Sequence, residues 1–165
     1  MRAPSPRPAP CRVAVHRTVA LVALTGAGAC ASTARDAPPR PLDGPALYVE
    51  RCVVCHLPDG RGTPGLYRPL TESALLRGDP TDAIRLLLHG MRGERRDGDR
   101  RIPILMMPSG NGTPLDDEAI ARVLTHSRRA FGGMPDSVRA EQVAAVRAAT
   151  AGQAGLYRPE ELGVR

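Results

Sequence analysis

Cys52-Val53-Val54-Cys55-His56 places two thiols and an imidazole within five residues. On one turn of helix, residues three apart are neighbours, so Cys52 and Cys55 share a face. Thiols at this spacing can each add to a vinyl group of a haem, forming two thioethers. The histidine that follows then sits under the ring, where its imidazole can bind the iron. The pattern therefore predicts one covalently bound haem c, fixed at three points of one short segment. Other chemistries also use paired cysteines. A zinc site needs two more Cys or His ligands, and the exported part of the chain offers no second pair. A thioredoxin-like redox pair belongs beside a βαβ pattern, which is absent. A disulfide closing so short a loop is a poor staple.

An iron held by one histidine needs a sixth ligand or an open site. Methionine thioether is the usual sixth ligand in electron carriers. Met107, in Ile104-Leu105-Met106-Met107-Pro108-Ser109-Gly110, is the expected donor. Pro108 fixes the backbone beside it and keeps the preceding residue extended. Met106 and Met91 compete for the role, each with the ordinary alternative of filling a core. His89 and His126 offer a bis-histidine arrangement.

The N-terminus reads as a targeting segment. Arg2, Arg7, Arg12 and Arg17 precede an apolar run, Val19 to Ala29, too short to span a bilayer. Ala27-Gly28-Ala29-Cys30 can be cut after Ala29 by ordinary signal peptidase. It can also be cut before Cys30, leaving a lipid-bearing cysteine as the new terminus. The second reading gives Cys30 a purpose, since a stray thiol in an oxidising compartment is a liability. The chain is expected to be exported and periplasmic, with membrane anchoring through a lipidated Cys30.

Removing residues 1–29 discards Cys11 and four of the 23 basic residues but none of the 17 acidic ones. Nineteen basic against 17 acidic residues leave a net charge near +2, which gives no reason to expect nucleic acid. The one dense basic cluster, Arg92, Arg95, Arg96, Arg100 and Arg101, is interrupted by Glu94, Asp97 and Asp99. Such a run is ordinarily a solvated loop, and a docking patch is the rarer use. Three tyrosines and one phenylalanine are a meagre supply of large apolar side chains. A haem would supply the missing apolar bulk for a domain of this size.

Four stretches must position these groups. A helix begins near Asp43 or Pro45 and runs into the cysteine motif, where Pro58-Asp59-Gly60 breaks it. Pro80 and the stripe Ile84, Leu87, Leu88 predict a helix over 80–89, ending at Gly90. Residues 91–114 read as loop. Asp116 or Asp117 starts a helix with the stripe Ile120, Val123, Leu124, stopped by Gly132-Gly133. A last helix over about 137–151 carries Val138, Val143 and Val146. No stretch reads as a strand, so the expected fold class is all-α. The expected layout is a signal peptide (1–29), a Pro-rich tether (30–42), a haem domain (43–133) and a C-terminal helical extension (134–165).

In this arrangement the chain resembles a class I cytochrome c, with about four to five short helices packed around one haem. It is most similar to the small cytochrome domains that accompany quinoprotein or membrane dehydrogenases. The resemblance covers residues 43–133 and rests jointly on the Cys52–His56 motif and Met107-Pro108. Asp59-Gly60-Arg61-Gly62, Leu86-Leu87-Leu88-His89-Gly90 and the helix from Leu115 to Thr125 support it. It implies that His56 is the proximal and Met107 the distal ligand. It also implies that the Pro69 carbonyl accepts a hydrogen bond from the proximal imidazole, fixing its orientation. The chain departs from the family in three places. Leu57 stands where glycine usually follows the histidine. Ser109-Gly110 replaces a frequent aromatic after Met-Pro. His126 and Phe131 replace a fuller aromatic set on the last haem-packing helix.

The implied function is electron transfer by a carrier rather than catalysis by an enzyme. The partners would be a periplasmic or membrane dehydrogenase as donor, and an oxidase or another cytochrome as acceptor. The rival is a haem peroxidase or small-ligand sensor with an open distal site, for which one small domain leaves little pocket.

Overall fold

The computed structural model describes residues 41–164, apart from the side chain of Asp97. The expected signal peptide, Cys30 and all but the last two residues of the tether lie outside the described residues.

Helix α1 (Gly44–Arg51) starts where the sequence signals it: the Asp43 carboxylate accepts the Ala46 N–H at 2.9 Å, and proline occupies its first turn. The chain then makes the single turn α2 (Val53–His56). Two short 3-10 turns, Leu70–Glu72 and Ala74–Leu76, lead to α3 (Thr81–His89). Helix α4 (Asp117–Ala130) is capped by Asp116, whose side chain accepts the Ala119 N–H at 2.7 Å. Helix α5 (Ala140–Ala149) follows, and a 3-10 turn at Pro159–Leu162 is the last element among the described residues.

The core sits where α1, α3 and α4 meet, with α5 packed on α3 and α4. Leu47 and Tyr48 of α1, Ile84 and Leu87 of α3, and Ile120, Val123 and Leu124 of α4 are buried together, as their helical spacing foretells. Burying each aliphatic side chain contributes about 1.5–3 kcal/mol. Helices α1 and α4 approach so closely that a Cβ on Gly44 would collide with the Arg122 carbonyl.

The fold class holds as mostly helical, with one correction. Residues 91–106, expected as loop, form an antiparallel hairpin of β1 (Met91–Asp97) and β2 (Arg100–Met106), with Met91 opposite Met106 and Asp97 opposite Arg100. Gly98 and Asp99 make its two-residue turn, with Gly98 at φ 59°. A glycine in the first turn position is a hairpin signature. The strand period is present as well: Ile102, Ile104 and Met106 turn inward while Arg101, Pro103 and Leu105 turn outward. The arginines disguised it, because Arg92, Arg96 and Arg101 crowd the solvent face. Of the basic cluster, Arg92, Arg96, Arg100 and Arg101 are exposed, but on strands rather than in the expected loop, and Arg95 is half-buried on the inner face.

The C-terminal segment completes this sheet. Tyr157 bridges to Met91, its carbonyl accepting the Arg92 N–H at 2.8 Å and its N–H donating to the Gly90 carbonyl at 3.1 Å. Pro159 lies against Gly93, where an added Cβ would come within 2.5 Å of its ring.

Candidate functional site

Cys52, Cys55 and His56 open into an apolar cavity of about 370 Å³. The motif is a true helical turn: the Cys52 carbonyl accepts the N–H groups of Cys55 and His56 at 3.2 and 2.9 Å. Both thiols are therefore presented from one face, as the spacing predicts, and both are free. Burial pushes the Cys52 thiol up to about 11, with Cys55 adding to the shift and Arg51 opposing it. The remaining walls come from the Tyr67–Leu70 loop, from Leu86 and Leu87 of α3, from the inner face of the hairpin and from Leu124 of α4.

The His56 side chain is half-buried, and burial lowers its pKa, which keeps the imidazole neutral and able to donate a lone pair. Its Nδ1 is buried without a hydrogen-bond partner. Pro69 also lines the cavity, but its carbonyl accepts the Glu72 N–H at 3.1 Å, and the expected bond from His56 is not formed. The segment after His56 is tied down from another side. Leu57 takes φ 62° and ψ 162°, a backbone region that is essentially glycine's own, and its carbonyl accepts the Tyr48 hydroxyl at 2.8 Å. Burial holds the Tyr48 pKa at about 12, so the phenol stays a donor. Tyr48→Phe should destabilise the fold by about 1 kcal/mol with an unchanged slope in denaturant unfolding. A slope that falls instead would mean that the variant's native state has loosened.

Three methionines line the cavity. Met91 and Met106 are paired across the hairpin and held on its inner face. Met107 follows the strand and is 42% exposed. Its loop is fastened to the end of α1: Arg51 donates to Asn111 Oδ1 at 2.9 Å, and Gly110 lies so close to the Arg51 carbonyl that a side chain would not fit. The residue preceding Cys52 thus anchors the loop that carries Met107. His89 and His126 are not brought to the cavity. His89 Nε2 pairs with Thr150 Oγ1 at 2.8 Å, and His126 packs against the rings of Tyr48 and Phe131.

The sequence reading missed several lining residues. Arg95, Ile104 and Val164 line the cavity because of the hairpin and the tail that packs on it. The alternation of Ile102, Ile104 and Met106 was the available signal for the hairpin wall. Nothing in the sequence marks Val164.

An apolar cleft with two thiols, a neutral imidazole whose Nδ1 is buried and unpaired, and thioethers in the wall suits a flat apolar macrocycle carrying iron. These features define a haem-binding helical domain. A family model described as Cytochrome c matches residues 42–129, more than half of the chain. The chain belongs to the cytochrome c family, and its cofactor is covalently bound haem c. It is 32% identical over 108 residues to the fructose dehydrogenase cytochrome subunit of Gluconobacter japonicus, covering 64% of this chain but 22% of that subunit. It is also 32% identical over 94 residues to cytochrome c-552 of Thermus thermophilus, covering 54% of this chain and 69% of that protein.

Proposed function

We propose that the protein is a single-haem electron carrier in which Cys52 and Cys55 form the thioethers and His56 and Met107 bind the iron. The observation that carries this reading is the convergence of all four side chains on one apolar cavity. Bound haem c supplies a one-electron ferric/ferrous couple. The protein's own part is to hold the ring, exclude water and fix the axial donors. The α2 turn presents the two thiols and His56 together. Pro69 lines the proximal side of the same cavity. Arg68 and Arg95 in the lining are cations suited to the haem carboxylates.

The carrier would work outside the cytoplasm, where Cys30 would serve as the lipid anchor. One relative is the cytochrome subunit of a dehydrogenase, which supports a dehydrogenase as electron donor and an oxidase or second cytochrome as acceptor. Such redox contacts are small and short-lived.

The optical spectrum of the holoprotein tests the ligands. The oxidised protein should show the weak far-red band of iron–thioether ligation, and Met107→Ala should abolish it while the haem stays attached. The exposure of Met107 favours one rival, a sensor or peroxidase with a displaceable sixth ligand. Rapid carbon monoxide binding by the reduced wild type, with no far-red band in the oxidised form, would establish that rival.

A further inference from the structure

Only two non-glycine residues among those described adopt a left-handed φ, and both flank a proposed axial ligand: Leu57 after His56, and Ser109, at φ 53°, two residues after Met107. Strained backbone of this kind persists only where surrounding contacts enforce it. At Ser109 those contacts are explicit. Gly110 N–H donates to the Met107 carbonyl at 3.0 Å, closing a four-residue turn with Pro108 and Ser109 in the middle. Proline followed by a residue at positive φ is a type II turn, whose third position normally takes glycine or asparagine.

Serine is held there by two neighbours. Its N–H donates to the Leu87 carbonyl at 2.7 Å, satisfying one of the carbonyls that the end of α3 leaves unpaired. Its hydroxyl accepts the Leu115 N–H at 3.1 Å and lies 3.4 Å from the same Leu87 carbonyl, to which it donates. The residue is 3% exposed. Leu87 itself lines the cavity. Ser109 thus locks the far side of the Met107 turn to a helix that forms the cavity wall, while Arg51 holds its other side.

We propose that Ser109 is the positioning residue for the distal ligand, keeping the Met107 thioether aimed into the cavity although that side chain is 42% exposed. This rests on the assignment of Met107 as sixth ligand. The Ser109→Ala variant cannot accept the Leu115 N–H but must keep the strained φ. The Ser109→Gly variant relieves the strain and also lacks the hydroxyl, so it folds even where the alanine chain does not.

The test uses haem-loaded full-length protein as wild type, Ser109→Ala, Ser109→Gly and Met107→Ala. The readouts are the far-red band and the rate of carbon monoxide binding to the reduced form, with far-ultraviolet dichroism as a check on folding. Both Ser109 variants should weaken the band and bind carbon monoxide roughly fivefold faster or more, the scale of one lost hydrogen bond, with native helix content. Unchanged band and rate in the two variants would overturn the positioning role while leaving the ligand assignment intact. A wild type without the band would overturn the ligand assignment itself, and with it the positioning role.

Discussion

A Cys52→Ala/Cys55→Ala chain, expressed with haem-maturation machinery, should carry no haem that survives denaturing electrophoresis and should lose most of its stable tertiary structure. The first half follows from chemistry: without thiols there is nothing to add to the vinyl groups. The second follows from volume. The cavity is about 370 Å³. At about 24 cal/mol per Å³, an unfilled space of that size costs on the order of 9 kcal/mol. The whole stability of an ordinary domain is about 5–15 kcal/mol. Water entering the open side lowers the penalty, but the walls are largely apolar and gain little from it. Intact mass, haem staining and near-ultraviolet dichroism check the result. A double variant that keeps native near-ultraviolet dichroism and a sharp thermal transition would show that the helices sustain the core unaided. Cys55→Ala alone should retain one thioether, because the Cys52 carbonyl still organises the turn and His56 still faces the cavity.

The sequence carried most of this site because its parts are local. Cys52, Cys55 and His56 need only one turn of helix to converge, and the caps Asp43 and Asp116 need only their own next residues. The stripes of α3 and α4 are likewise readable from spacing alone. Two kinds of information were not local. The hairpin's inner face shows in Ile102, Ile104 and Met106, but its outer face is a run of charge, and charge is also how loops look. Its identity depends on the Gly98-Asp99 turn together with packing against Tyr157 and Pro159, some sixty residues away. The strain at Leu57 and Ser109 is likewise invisible as sequence, because each residue is ordinary until its φ is known. Their departure from the family pattern was visible. The compensating bonds, from the Tyr48 hydroxyl to Leu57 and from Ser109 to Leu87 and Leu115, were not.

Arg128 shows the same limit at its most consequential, and Arg128→Ala should be among the most damaging substitutions outside the haem site. Its side chain is 0% exposed at the end of α4. The guanidinium donates to the carbonyls of Leu76 and Gly78 at 3.3 and 2.9 Å and pairs with the Asp136 carboxylate at 2.9 Å. One side chain therefore joins α4, the loop leading to α3 and the start of the C-terminal segment. Alanine would strand two carbonyls and open a space the size of a long side chain. Each effect costs on the order of 1–3 kcal/mol, and together they should remove about 3 kcal/mol, or roughly 10 °C in the thermal midpoint. Asp136→Asn separates charge from packing. Asp136 is half-exposed, so its carboxylate is screened by water, and asparagine can still accept from the guanidinium. That variant should lose about 1 kcal/mol or less. Equal losses in the two variants, measured by thermal unfolding of the haem-loaded protein, would mean that the ion pair rather than the buried fork to the two carbonyls holds α4 to the loop. Arg128→Lys should fall close to alanine, since an ammonium has no planar fork with which to reach Leu76, Gly78 and Asp136 together. The neighbouring Ser127 lines the cavity, so the loosening should also register as faster carbon monoxide binding in the reduced variant.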